Sequence, residues 1–397
     1  MENTKVDATV DKSKMTSFRC LIAYWILGLC NNYGYVVMLT AANDIIKEYS
    51  TSTEEKNYER NCTYLSTGAI LLADVLPALL IKALAPFIPF FVHIRVAICV
   101  LISAGGFLLV AFSNSMEIAI LGVALTSLVS GLGEVTFLQY SSFYHKNVVS
   151  TWSSGTGGAG VIGAISYSLL HYIGMRLALK IMIIIPIIMG LTFWILLPKP
   201  FGENILEVQK EVNTLELKSP REAIKYKLKL IPGLLKYIIP FSLVYLFEYF
   251  INQGTFELID FRNSFVDQNE QYRWLQVSYQ VGVLISRSSV NCVHIRHIWI
   301  LSVLQLINVI IYTTEVIYFY IPNFIIMIVL TIWEGLLGGS AYVNTYYTIS
   351  SEVNEKDKQF SLAITGFGDS IGITLAGVLS MIVHNKICDL PVPENIP

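Results

Sequence analysis

The sequence predicts an all-α fold, a polytopic bundle of about eleven transmembrane helices in two related groups of six and five, and three observations predict it. First, 54% of the 397 residues are apolar and only 14% are charged, a composition outside the range of water-soluble domains. Second, apolar runs of about 20 residues, the length that crosses roughly 30 Å of hydrocarbon as a helix, recur along the chain. Third, short motifs of the first half return at corresponding places in the second. The runs are continuous and rich in Leu, Ile, Gly and Ala, whereas a membrane β-barrel would alternate over segments of about 10 residues. The lipid bilayer is therefore the first partner.

After a polar tail at 1–17, the first six spans are expected at 18–46, 65–86, 96–112, 118–140, 152–173 and 181–197. Five more are expected at 234–258, 274–290, 298–319, 323–347 and 360–383. The first run is longer than a signal-peptide core and has no small-residue cleavage pattern behind it, so it reads as retained. The expected domains are then the tail 1–17, a six-helix bundle at 18–197, a linker at 198–233, a five-helix bundle at 234–385 and a tail at 386–397. Eight basic side chains fall between Lys199 and Lys236. Such a linker reads as a solvated charged loop or as an amphipathic segment resting on anionic lipid.

Positive charge resists translocation, which fixes an expected orientation. With the amino terminus in the cytoplasm, 17 of the 27 Lys and Arg face that side and eight face the other. Asn61-Cys62-Thr63, a glycosylation sequon, then falls in the first luminal loop. An odd number of spans puts the carboxyl terminus in the lumen.

The repeat is read from several pairs. Val92-His93-Ile94-Arg95 follows the second span and Val293-His294-Ile295-Arg296 the eighth. The fourth and tenth spans carry Gly131-Leu132-Gly133 and Gly335-Leu336-Leu337-Gly338-Gly339, and both end in tyrosine. The fifth has Gly155, Ala159 and Gly163 four residues apart, and the eleventh has Gly368, Gly372 and Ala376 likewise. Asn31-Asn32 and Asn252-Gln253 sit in the first and seventh. Parallel repeats of this kind build transporters of the major-facilitator type, whose two bundles rock about a site at their interface. Stripes of small residues suit helices that approach closely, whether they slide or simply pack.

Of the basic residues, only Lys82 and Arg287 fall inside spans, in the corresponding second and eighth. An intramembrane charge faces a partner or a wet cavity, although both lie near a span end, where snorkelling to the interface is the plainer alternative. Arg287 is the better ligand, since a planar guanidinium holds phosphate or carboxylate through two hydrogen bonds. Asp74, Glu134, Glu248, Glu334 and Asp369 are the carboxylates well inside spans. Five cannot all pair with two cations, so at least one is expected to couple a proton or touch substrate, with Glu134 and Glu248 leading. Asn31, Asn32, Gln253 and Asn344 offer hydrogen bonds to hydroxyls, or equally to neighbouring helices.

An enzyme is not expected. Gly366-Phe367-Gly368-Asp369 spells the GxGD of intramembrane aspartyl proteases and Pro77-Ala78-Leu79 their PAL. The order is wrong, and no Tyr-Asp pair supplies the second aspartate that must share a proton. No phosphate-binding glycine loop is present, so neither ATP nor another cofactor is implied. The histidines are dispersed and the six cysteines lack CxxC spacing, which implies no metal site and no disulfide framework. A net charge of -2 gives nucleic acid no footprint. Sequence sets no oligomeric state.

Seven stretches resemble the battenin family, the membrane proteins of juvenile neuronal ceroid lipofuscinosis. They are LGLCNNYGYVVMLTAANDI at 27–45, LLADVLPALLIKALAP at 71–86, GLGEVTFLQYSSFY at 131–144, SSGTGGAGVIGAISY at 153–167, FEYFINQGTFEL at 247–258, QYRWLQVSYQVGVLISRSS at 271–289 and EGLLGGSAYVNTYY at 334–347. The resemblance implies a lysosomal membrane protein of the major-facilitator superfamily, needed for clearance of glycerophosphodiesters and implicated in lysosomal pH and basic amino-acid transport. Two departures stand out. The family's prenylation box should end the chain, but Cys388-Asp389-Leu390-Pro391 is followed by six more residues. The linker also lacks an acidic dileucine sorting signal, because Tyr226 stands four positions before Leu230-Ile231. The function expected is a secondary transporter exporting a glycerophosphodiester by alternating access. A non-transporting scaffold acting through the linker, and a basic amino-acid carrier, are the alternatives.

Overall fold

The computed structural model describes residues 18–49, 67–200, 220–262, 264, 266, 268–290 and 292–391; Asn61 and its sequon lie outside them. Helices α1 (Phe18–Tyr49), α2 (Thr67–Leu84), α3 (Val92–Ala111), α4 (Met116–Ser141) and α5 (Asn147–Leu170) make the first five crossings. The sixth is broken into α6 (Met175–Ile181) and α7 (Ile184–Leu191) and closes with a π-helical turn at Thr192–Leu196. Pro186 accounts for the break, since its ring collides with the carbonyl four residues back in a continuous helix. The last five crossings are α8 (Pro220–Gly254), α9 (Gln268–Arg287), α10 (Ile298–Tyr318), α11 (Phe324–Glu352) and α12 (Glu355–Cys388). We call the face where α1 begins the near face, and the one where it ends the far face.

Among the described residues, eight helical stretches are long and apolar enough to cross a bilayer, and α2, α5 and α9 are not among them. α5 carries Gly and Ser, and α9 Gln and Ser, where lipid-facing helices carry Leu and Ile. The reason is positional: α5 and α9 pack on each other where the two groups of helices meet.

Part of the connection expected as a loop is helix. The helix begins at Pro220, a residue suited to a first turn, and its exposed start is tied down by polar bonds. Tyr226 donates to Asp357 Oδ1 at 2.8 Å and Lys227 Nζ to the Pro86 carbonyl at 2.9 Å. At the other end, α12 continues to Cys388 and takes in the start of the expected tail.

Cys388 corrects the reading of the cysteines. Cys20, Cys30, Cys99 and Cys292 are free thiols, but Cys388 is disulfide-bonded. Spacing could not show this, because a helical bundle brings together positions remote in sequence.

The two groups repeat one packing plan. α1 lies along α5 as α8 lies along α12, and α2 meets α4 as α9 meets α11. Glycine sets how close these pairs come. A β-carbon on Gly28 would stand 2.6 Å from the Trp152 carbonyl oxygen, and one on Gly372 would strike the Ser242 carbonyl oxygen, so backbone touches backbone. The paired tetrapeptides also lock helices. Arg95, expected at a solvated span end, is buried instead: it donates to Gln139 Oε1 at 2.8 Å and to the carbonyls of Ala85 and Ile88 at 2.8 and 2.9 Å. In the second copy the Ile295 amide donates to Asn344 Oδ1 at 2.7 Å. Between the groups, α2 and α4 meet α12, while α5 meets α9 and α11.

Candidate functional site

Side chains on a helix tilt toward its amino terminus, so Lys82, in the last turn of α2, is aimed back into the bundle and away from the near face. Its Nζ stands 2.6 Å from Glu134 Oε2 on α4 and 3.0 Å from Asp369 Oδ1 on α12. The second Asp369 oxygen is 3.2 Å away, and Ser370 Oγ donates to the first at 2.9 Å. All three charged groups are buried. Two carboxylates therefore share one ammonium, and the shared cation fastens the first group of helices to the second.

The other oxygen of Glu134 accepts from the Tyr342 hydroxyl at 2.8 Å, and that hydroxyl accepts from Trp152 Nε1 at 3.2 Å. The face of the same Tyr342 ring carries Arg287, whose guanidinium carbon lies 4.1 Å from the ring centre. Arg287 donates to Thr156 Oγ1 at 2.7 Å and to the Tyr245 hydroxyl at 3.0 Å, while its Nε has no partner. It makes no salt bridge among the described residues. The two basic side chains thus differ in kind. Lys82 is neutralised by fixed carboxylates, whereas Arg287 donates directly only to neutral oxygens and rests on a π face, a costly state for a full charge. Since Thr156 is on α5, Arg287 also spans the two groups.

The remaining carboxylates stand apart. Glu248 accepts a short bond from the Tyr279 hydroxyl through Oε1, and its Oε2 has no partner. Both oxygens of Asp74 and both of Glu334 are buried without a hydrogen bond. The amides divide as well. Asn31 donates to the Ser130 carbonyl at 3.0 Å and to Asn32 at 3.2 Å, which joins α1 to α4. Asn344 donates to the Ser340 carbonyl at 2.9 Å and holds the Ile295 amide, so it is occupied in docking the start of α10. Gln253 hydrogen-bonds Tyr272 toward the far face. None of these three belongs to the chain of contacts that joins Lys82 to Arg287.

Residues 22–222 and 202–390 match the family model described as CLN3 protein. Battenin of Canis lupus familiaris is 39% identical over 402 residues, which cover 93% of this chain and 91% of that protein. The chain belongs to the battenin family. Protein BTN1 of Yarrowia lipolytica is 35% identical, with 94% of this chain and 95% of that protein covered. Among solved structures, the human organic anion transporter MFSD10 superposes with a TM-score of 0.63 at 10% identity, covering 93% of this chain and 95% of that one. A bacterial homolog of the human lysosomal transporter Spinster, inward-facing and occupied, gives 0.58 at 15% identity, covering 91% and 80%. At such identities the likeness establishes the fold alone, and that fold is major-facilitator-like.

In this battenin-family chain, the residues that sequence reasoning missed are the aromatic ones. Tyr342, Tyr245 and Trp152 connect the charges, and Thr156 receives Arg287. A Tyr in an apolar helix carries no periodic signal that separates it from core packing, so only the placement of Arg287 picks these out. Gly366-Phe367-Gly368-Asp369 also changes meaning, because its aspartate is the partner of Lys82.

Proposed function

We propose that the chain is a secondary transporter of the lysosomal membrane that exports a small phosphodiester, a glycerophosphodiester, by alternating access, with consequences for lysosomal lipid and pH balance. The observation that supports this reading is Arg287, a buried guanidinium at the meeting of two pseudo-repeated groups with no salt-bridge partner among the described residues. A phosphate fits that vacancy through two charge-assisted hydrogen bonds. To bind it, Arg287 gives up Thr156, and the link from α9 to α5 loosens with it. Anion binding therefore weakens one of the polar fastenings between the groups, and a ligand shifts a conformational equilibrium only through such differential contacts. Placing the near face in the cytoplasm follows the distribution of Lys and Arg. A disulfide at Cys388, on the far face, fits an oxidising lumen there.

Reconstituted vesicles loaded with glycerophosphocholine supply the test. Counterflow is expected, and Arg287→Ala should abolish it while Arg287→Lys keeps a fraction. Undiminished counterflow in Arg287→Ala removes that residue from the site, and absence of counterflow in the unaltered protein removes the phosphodiester. One observation favours a second reading, a basic amino-acid carrier: the partnerless buried carboxyl oxygens of Asp74, Glu248 and Glu334 suit a cationic substrate. That reading predicts inhibition by arginine and none by phosphodiesters.

A further inference from the structure

The second group of helices holds a carboxyl pair that the chain of contacts between Lys82 and Arg287 does not use. Glu248 on α8 lays its carboxyl group on α11 at Gly338, where a β-carbon would collide with Oε2. Glu334 lies four residues earlier on α11, hence on the same side of that helix one turn toward the far face. The two carboxyl groups are within electrostatic reach of each other. Glu334 is 0% and Glu248 1% exposed, and three of their four carboxyl oxygens have no hydrogen-bond partner. Two such groups in an apolar interior cannot both carry charge without a counter-ion.

We propose that Glu248 and Glu334 together form the coupling-ion site of the carrier and hold one exchangeable proton. This rests on the transport reading above and adds to it the ion that drives the cycle. A proton fits where a metal cation does not. A metal ion needs several converging acceptors, but Tyr279 presents a hydroxyl donor to Glu248, and no group of three or more His, Cys, Asp or Glu side chains converges among the described residues. Six titratable or charged groups face the pair: Tyr245 and Tyr249 on α8, Tyr279 and Arg287 on α9, Asp369 on α12 and Tyr312 on α10. The hydroxyl of Tyr312 is engaged with Thr331 at 2.7 Å and leaves Glu334 free.

Arg287 connects the pair to the substrate. Its positive field opposes a proton on Glu248. An anion that cancels the guanidinium charge removes that opposition, so anion and proton enter the occluded state together. An acidic lumen would then drive the anion outward with the proton.

Two measurements on the purified full chain test this. In proteoliposomes, the ratio of glycerophosphocholine flux under an imposed pH gradient to counterflow at equal pH should exceed unity. It should fall to unity in Glu248→Gln and Glu334→Gln. A gradient response that survives in the double variant overturns the pair, and so does a gradient-insensitive wild type that still performs counterflow. Absence of all counterflow strikes the phosphodiester reading instead, and the second measurement then decides the pair alone. Infrared spectra at neutral pH should show the C=O stretch of a buried protonated carboxyl that is lost in the double variant. A wild type without that band, or a double variant that retains it in full, overturns the proposal.

Discussion

Lys82 is where a single side chain decides most. It serves Glu134 and Asp369 at once, so the two ways of breaking the cluster differ in cost. Lys82→Met leaves two buried carboxylates facing each other without a cation, a loss of about 3–5 kcal/mol for an uncompensated buried charge. Asp369→Asn leaves Lys82 its bond to Glu134 and should cost about 1–3 kcal/mol. Thermal unfolding of the purified protein should therefore show a clearly larger drop for Lys82→Met, and equal drops would refute the shared-cation geometry. Cys388 gives a second test at this scale. Its disulfide predicts that Cys388 escapes a thiol-alkylating reagent in the unfolded protein until a reductant is added, whereas Cys292, free and exposed, reacts at once. Mass spectrometry of the alkylated chain reads both.

Among the helices, close approach is what matters, and it rests on a few residues without side chains. At Gly372 the obstacle to a larger residue is the Ser242 carbonyl, a backbone atom that cannot turn aside, while nothing lies within 4 Å of a β-carbon at Gly105. Gly372→Val should cost at least about 1–3 kcal/mol through overpacking and lower the yield of folded protein. Gly105→Ala should leave the yield unchanged or raise it slightly, by the greater helix propensity of alanine. Size-exclusion profiles of the two variants, expressed in parallel, make the comparison. The spacing of small residues announced such contacts in the sequence. What it did not decide was that the charged stretch from Pro220 is already part of α8, because its Ile224, Leu228 and Ile231 suit a surface amphipathic segment as well, and it is held by Tyr226 and Lys227 through tertiary bonds.

For the whole molecule, the two inter-group links made by the buried cations, Lys82 with Asp369 and Arg287 with Thr156, lie in the half nearer the near face. The Phe87 and Phe360 rings meet on that side too, with centroids 5.5 Å apart. Loss of the Lys82 link should therefore loosen the near face. Thr365 is fully buried four residues before Asp369 on α12, which makes Thr365→Cys a reporter in a Cys292→Ser background. An impermeant maleimide applied at the near face should label it at least several-fold faster when Lys82→Ala is added, and unchanged labelling would place the gate elsewhere. The sequence alone determined that the chain is a lipid-embedded, duplicated helical bundle, since span length and hydropathy answer to the bilayer and the paired motifs answer to a common packing plan. Tertiary structure alone decided which polar residues work together. Asn31, Gln253 and Asn344, read from sequence as ligands or as helix-to-helix bonds, hydrogen-bond neighbouring helices, while Tyr342 resembled core yet joins Glu134 to Arg287. The reason is that a buried polar group is defined by what meets it across helices hundreds of residues apart in the chain, and no local pattern encodes that meeting.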